Sequence, residues 1–463
     1  MRILFVNPPY VNLYEKSGLR MGMPVYPPLN LSLLSSIARK EGYEVEILDL
    51  NLFRKNFGKY LLNRISTIEP NLVAFTVTTP TYIFFKNCTK IIREEFGKNV
   101  VIVVGGPHAS SLPEEVLLHT DVDFVFVGEG EISFRNFLRE YPRIKNIDGI
   151  AIRKGRRVVC GRRLFVKNLD ELPLPSWDLL KYIKRYRRNY TKKNPVTIIQ
   201  TTRGCPFRCI YCNKSIFGYK FRAMSPVRTV REFEWVIENG FKEIHLADDI
   251  FTHDMKRAKM VCELLIKRKF NYPWALMSGV RVNEIDREFL VKAYKAGCYS
   301  ISFGVESGKQ RILNIIRKGV TLNQIRRAFK LAKDIGMEVM GSFMIGLPGE
   351  TIDDIESTIE FAIELDPDWV KFTIATPMPG TYFFELMEKK GLIKSRNWER
   401  YYFHLIDAPR PFRHDTISDK VLDLMYKKAY RKFILRREFV FRRIKKLQWL
   451  TDLYGFFTTL ILH

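Results

Sequence analysis

Apolar residues in the first third of the chain fall in short unbroken runs separated by amphipathic stretches. Arg2 to Val6, Val45 to Leu48, Leu72 to Val77, Val100 to Val104 and Phe124 to Val127 read as strands buried on both faces, and Leu29 to Lys40 has helical spacing. This alternation predicts a doubly wound, Rossmann-like α/β domain over residues 1–145. Residues 146–195 read as a connector, with a small hairpin at Gly149 to Arg153 and Arg157 to Val159 and a proline-rich crossing at Leu172 to Trp177. From 196 to 385, Val196 to Thr201, Glu243 to Leu246, Trp274 to Ser278, Tyr299 to Phe303, Glu338 to Met344 and Trp369 to Ile374 alternate with amphipathic helices, the pattern of a partial (βα)6 TIM barrel. Residues 386–463 turn helical and aromatic, and Trp398, Tyr401, Tyr402, Phe403 and His404 are placed to close the open side of the barrel, His404 as a packed residue.

In both sheet types ligands gather beyond the carboxyl ends of the strands. That puts weight on Asn7 to Tyr10, Thr76 to Thr81, Gly105 to His108 and Gly128 to Glu131 in the first domain. In the barrel it puts weight on the segments after each of the six strands.

Composition adds an anionic partner to the picture. The chain carries 76 Lys and Arg against 50 Asp and Glu, a formal charge of +26, and much of the excess lies in Lys181 to Lys193 and Lys427 to Lys446. Met1 runs directly into a strand and no stretch of about 20 apolar residues occurs, so a cytoplasmic body is expected. Seven cysteines, an odd number, argue against a disulfide framework. Cys88, Cys160, Cys262 and Cys298 stand singly in apolar or helical surroundings, as structural thiols do.

The other three share one short loop after the first barrel strand, spaced C-x₃-C-x₂-C: Cys205, Cys209 and Cys212. A structural zinc site takes four N or S ligands in two pairs, and no second pair follows. An iron–sulfur cube is ordinarily held by four cysteines, so three would leave one iron open to another ligand.

With that loop, the chain resembles the radical S-adenosylmethionine (radical SAM) superfamily. The resemblance implies that a [4Fe–4S] cluster is held by Cys205, Cys209 and Cys212, and that the methionine end of SAM chelates the open iron. It places Tyr211 beside the adenine, Asp248 near the methionine amino group, and Ser278 and Arg281 where the methionine carboxylate lies. Asp248 and Asp249 equally suit a helix cap, and a surface salt bridge also accounts for Arg281. Gly304-Val-Glu306-Ser307 resembles the family's G-x-E-S segment, with Glu306 and Ser307 toward the ribose, and Gly346-Leu-Pro-Gly349 resembles its adenine platform. Pro379-Gly380-Thr381, with Tyr382, resembles the segment lining the substrate mouth.

The first domain's loops resemble the cobalamin-binding domain that precedes the barrel in one class of these enzymes. The residues so implicated are Pro8, Pro9, Thr76, Thr78, Thr79, Gly105, Gly106, Pro107, His108, Gly128 and Glu129. The signature D-x-H-x-x-G is absent, which argues against a histidine on cobalt. A domain that has lost its cofactor is the alternative reading.

Together these resemblances imply radical modification of an unactivated carbon, with cobalamin-dependent C-methylation of a small molecule or lipid preferred. Ring formation on a lipid or tetrapyrrole is the alternative. A tRNA methylthiolating enzyme would carry a second three-cysteine cluster in a first domain that here holds only Cys88, and a non-catalytic iron–sulfur protein would not need Glu306 or Gly346. The expected partners are an electron donor such as ferredoxin or flavodoxin, and no nucleic acid. In the tail, Lys427 to Lys446 sets basic residues opposite Tyr430, Phe433, Ile434, Phe441, Ile444 and Leu447. Two readings stand, a peripheral contact with the inner face of the membrane, extended by the apolar stretch Trp449 to Leu462, or a helix packed on the barrel.

Overall fold

The computed structural model describes residues 1–10, 24–53, 56–189 and 191–446. Five parallel strands begin the chain: β1 (Arg2–Asn7), β2 (Glu44–Asp49), β3 (Leu72–Thr76), β4 (Val101–Gly105) and β5 (Phe124–Phe126). Their order β2-β1-β3-β4-β5 puts the topological switch between β1 and β3, where successive connections leave toward opposite faces. The runs are continuously apolar because helices cover both faces. Ile3, Phe5, Leu72, Ala74 and Val103 pack with Leu31, Phe134 and Phe137 in one core. Leu4, Val6, Val73, Phe75, Ile102 and Val104 belong to a second core that continues into the barrel.

The hairpin expected in the connector instead extends this sheet. Strands β6 (Ile150–Lys154) and β7 (Arg157–Cys160) add antiparallel to β5, with Ala151 opposite Val125 and Ile150 opposite Phe126. Ile150 and Ala151 are buried, so the hairpin covers an edge that β5 would otherwise expose.

The second sheet holds six parallel strands, β8 (Val196–Ile199), β11 (Glu243–Leu246), β12 (Trp274–Leu276), β13 (Cys298–Glu306), β14 (Glu338–Ile345) and β15 (Trp369–Ile374), adjacent in chain order. It is the partial barrel the periodicity predicts, open between β8 and β15. Outward positions such as Ile301, Phe303, Val339 and Phe372 are buried under helices. Ser302, Gly304, Ser342 and Lys371, joined by register across β13, β14 and β15, share the opposite, inner face. The two-residue strands β9 (Thr202–Arg203) and β10 (Arg222–Ala223), which the sequence pattern does not signal, pair antiparallel and clamp the base of the cysteine loop.

After the barrel, Phe403 O accepts from Ile374 N at 3.0 Å, setting that segment beside edge strand β15. The helix Asp419–Ile434 lies on the outer side of β15: Phe372 N donates to Tyr430 Oη at 3.1 Å, and that hydroxyl donates to Phe372 O at 3.2 Å. Tyr430, Phe433 and Ile434, read as a face available to a bilayer, are therefore buried in the core. The basic face is also engaged with the barrel, Lys432 with Glu360 at 2.5 Å and both Arg436 and Arg442 with Asp366 at 2.8 and 2.6 Å. The packed-helix reading holds for this segment. The side chains of residues 443–446 and the stretch Trp449 to Leu462 lie outside what is described. Among the described residues no helix is long and apolar enough to cross a membrane.

Candidate active site

The cysteine loop leaves β8 through a turn that only glycine fits. Gly204 has φ +76°, and a Cβ there would stand 2.1 Å from Lys220 O; its N–H donates to Asp249 Oδ2 at 2.7 Å. Cys205, Cys209 and Cys212 are each partly exposed, whereas Cys88, Cys262 and Cys298 are buried. The Cys209 and Cys212 thiols are in hydrogen-bond contact, which pulls the Cys209 thiol down to about 6, with Lys318 and Arg281 assisting against the cost of burial. Among the described residues no three ligating side chains converge on a single-ion position. Three thiolates on one loop, one for each of three irons, suit a cube better than a mononuclear ion.

Beside the loop stands an interlocked group. Glu306 ends β13 with φ +68° after a register shift, and it accepts from Tyr211 Oη at 2.9 Å and Lys318 Nζ at 2.7 Å. Lys318 also donates to Tyr211 Oη at 3.1 Å. A Cβ on Gly304 would lie 2.6 Å from Glu306 Oε1 and 3.0 Å from Lys318 Nζ, so this glycine makes room for the pair. Lys318 carries no motif signal; only its place after the helix Gln310–Ile315, level with the strand ends, marks it. Arg281 stacks its guanidinium 3.5 Å above the Phe207 ring of the cysteine loop and donates to Lys318 O at 2.6 Å, so it is neither a surface salt bridge nor remote from the thiols.

Other residues expected at the SAM site are consumed by the protein. Asp248 is buried and accepts from Thr201 Oγ1 at 2.7 Å and Thr202 N at 3.1 Å, bracing the end of β8. Ser278 Oγ donates to Asp248 O at 3.0 Å. Ser307 turns away from the strand ends to Thr358 Oγ1, 3.2 Å off, and is fully buried. Gly346 donates its N–H to Glu350 at 2.6 Å, and a Cβ there would meet His414 at 2.7 Å, so the C-terminal region covers it. A buried carboxylate or hydroxyl must be satisfied by its neighbours, and Asp248 and Ser307 find those partners within the protein. Gly380 is equally closed in, with a Cβ only 2.3 Å from Ser111 Oγ.

The carboxyl edges of the two sheets face each other across a cavity of about 540 Å³, with walls that are mainly apolar. Thr76, Gly105, Gly106, Pro107, Gly128 and Glu129 line it as expected, with Asn7 across the switch point. The barrel contributes Ile198, Gln200, Arg203 and Ala247. Gly106 has φ +104°, and a Cβ there would lie 2.6 Å from Val77 O. This edge presents backbone in place of side chains to the cavity, a surface that suits a flat macrocycle.

Pro8, Pro9, Thr78, Thr79 and His108 do not line the cavity. Thr78 and Thr81 cap one another. Thr79 Oγ1 meets His108 Nδ1 at 3.1 Å, and the ring is sealed between Tyr82 and Trp398, centroids 4.5 and 5.3 Å away. Burial lowers the His108 pKa to about 3, so it stays neutral. Glu129 reaches the cavity wall, but its carboxylate is taken by Arg203 Nη1 at 3.1 Å, by Arg222 and by Val166 N at 3.0 Å. Sequence reasoning missed Tyr26, which lines the cavity from an irregular Pro-rich segment with no periodicity to mark it.

Two family models match the chain, the radical SAM superfamily over residues 199–362 and the B12-binding domain over residues 24–138. An uncharacterised methyltransferase of Pyrococcus horikoshii is 34% identical over 451 residues, covering 96% of this chain and 95% of its own. The anaerobic magnesium-protoporphyrin IX monomethyl ester cyclase of Rubrivivax gelatinosus is 28% identical, covering 95% of this chain and 78% of its own. Among solved structures, the cobalamin-dependent SAM radical enzyme OxsB superposes with a TM-score of 0.76 at 18% identity, covering 99% of this chain and 70% of that one. The chain belongs to the radical SAM superfamily, in the branch that carries a B12-binding domain ahead of the barrel. It is an enzyme whose cofactors are a [4Fe–4S] cluster, SAM and cobalamin.

Proposed function

We propose that this enzyme transfers a methyl group to an unactivated carbon of a small organic molecule or lipid. The observation that carries the reading is the shared cavity, in which the B12-binding edge and the barrel mouth face each other with no domain wall between them. When bound, the cluster supplies the electron that cleaves SAM to a hydrogen-abstracting 5′-deoxyadenosyl radical, and cobalamin supplies the methyl carrier.

The protein's own residues do the holding. Cys205, Cys209 and Cys212 would ligate the cluster. Tyr211, Glu306 and Lys318 form a hydrogen-bonded set at the strand ends that would hold the ribose and methionine groups of SAM, and Arg281 pins the cysteine loop to the 318–319 turn. The Gly105–Gly106–Pro107 edge, which presents backbone to the cavity, would hold the corrin. Apolar walls such as Ile198, Leu31 and Phe134 keep water from the radical. The electron would come from a small electron-carrier protein such as ferredoxin or flavodoxin.

Ring formation is the second reading, favoured by the likeness to the protoporphyrin ester cyclase. The two separate by product analysis after anaerobic reconstitution with iron, sulfide and hydroxocobalamin. Methylation uses SAM both as radical source and as methyl donor, so 5′-deoxyadenosine and S-adenosylhomocysteine should form together. Deoxyadenosine alone would favour cyclisation, and neither product would reject both.

A further inference from the structure

Resting on the reading of the barrel as the place of reaction, we propose that its inner face holds an anionic group of the substrate, a carboxylate or phosphate, between Arg188 and Lys371. Lys371 occupies the inner face of β15, level with Ser342 on β14 and Gly304 on β13. It is enclosed by the barrel yet open to solvent, and its Nζ makes no hydrogen bond or ion pair among the described residues. Enclosure, and secondarily the Arg188 charge, holds its pKa below the usual lysine value.

Arg188 enters from the open side of the barrel, where Arg187 O accepts from Val25 N at 2.9 Å. Its Nη1 donates to Tyr26 Oη at 3.3 Å and Met277 Sδ at 3.2 Å and lies 3.4 Å from His245 Nδ1, three uncharged neighbours. No carboxylate pairs with it among the described residues. The nearest acids are already engaged: Glu243 with His245, Tyr299 and Lys193 N, at 2.8, 2.7 and 2.6 Å, and Glu306 with Lys318 and Tyr211. The two cations repel one another and neither forms an ion pair among the described residues, so an anion that joined them would relieve that repulsion. The buried residues Ser300 and Ser302, on β13 two strands away, add hydroxyls to this face. Tyr26 links the nest to the cavity, since it is one of the cavity's lining residues while its hydroxyl meets His245 Nδ1 at 2.6 Å. An anion held there would leave the rest of the molecule extending toward the apolar cavity.

The test is calorimetric titration of the reconstituted, SAM-saturated protein with octanoate, octyl phosphate and octanol. At least one anion should bind tenfold or more tightly than octanol, and whichever of octanoate and octyl phosphate binds tighter identifies the group. Lys371→Met and Arg188→Met should each weaken that binding at least tenfold, and Lys371→Arg should restore it to within threefold of wild type. Equal binding of octanol, unchanged affinity in the variants, or competition between the anion and SAM would overturn the proposal, the last by assigning these cations to the methionine carboxylate. If Lys371→Met does not fold, the wild-type comparison of anion with octanol decides. Formation of 5′-deoxyadenosine by the wild type tests the functional reading separately, so a wild type that cleaves SAM without preferring the anions overturns this inference alone.

Discussion

Glu129 sits where the two domains are clasped together, and replacing it by Gln should cost far more than replacing an ordinary surface partner. The side chain is 2% exposed and accepts from Arg203 Nη1 at 3.1 Å and from Val166 N at 3.0 Å, while Arg222 closes on its other oxygen. Arg203 has a second partner in Glu131 at 2.6 Å; Arg222 pairs with no other carboxylate among the described residues. Two cations and two anions thus balance in a buried cluster, and Glu129→Gln leaves one positive charge uncompensated. Removing one partner of a buried pair costs about 3–5 kcal/mol, a large part of the roughly 5–15 kcal/mol that holds a protein folded. In guanidinium denaturation monitored by tryptophan fluorescence, the midpoint should fall by roughly 0.5 M. Glu41→Gln is the control, because its partner Arg139 is 60% exposed and such pairs contribute below about 1 kcal/mol. A Glu129→Gln midpoint no lower than that of Glu41→Gln would refute the clasp.

Glu350 gives a pH signature. It is fully buried on two N–H donors with Oε1 unpartnered, and burial raises its pKa to about 8. The folded state therefore keeps a proton that the unfolded state releases near pH 4.5, so stability should fall as pH rises from about 5 to 8. Glu350→Gln should flatten that slope in thermal melts, and an unchanged slope would show that another group causes it. Cys209→Ala should lose the cluster's visible absorbance and 5′-deoxyadenosine formation together; a variant that keeps both would remove Cys209 from the ligand set. Gly106→Ala forces a Cβ to 2.6 Å from Val77 O at φ +104°, so corrinoid retention on gel filtration should drop at least tenfold while the cluster absorbance persists. Retention equal to wild type would show that this edge does not touch the corrin.

The strands were legible because parallel strands buried on both faces write themselves as continuous apolar runs, and the C-x₃-C-x₂-C spacing marks a cluster loop. What could not be read was the direction of side chains in loops. Asp248 and Ser307 have the right types at the right strand ends, but both are spent on neighbours distant in sequence, Thr201 and Thr358. His108 follows a strand exactly where ligands gather, yet Trp398, from the far end of the chain, seals it. The hairpin Ile150–Cys160 shows the same limit, since pairing with β5 depends on an edge that no local pattern reveals. The tail repeats it, because an amphipathic helix looks alike whether its apolar face meets a bilayer or, as for Asp419–Ile434, the outside of a barrel.

The cavity between the two sheets should hold cobalamin without a histidine from this chain. Reconstitution with hydroxocobalamin, gel filtration and the cobalt(II) EPR spectrum of the retained protein test it most directly. About one corrinoid per chain should be retained, as for any single-site cofactor, with no nitrogen splitting from a histidine imidazole, because His108 is buried against Tyr82 and Trp398. Protein that emerges free of corrinoid, or a spectrum carrying imidazole splitting, would contradict it.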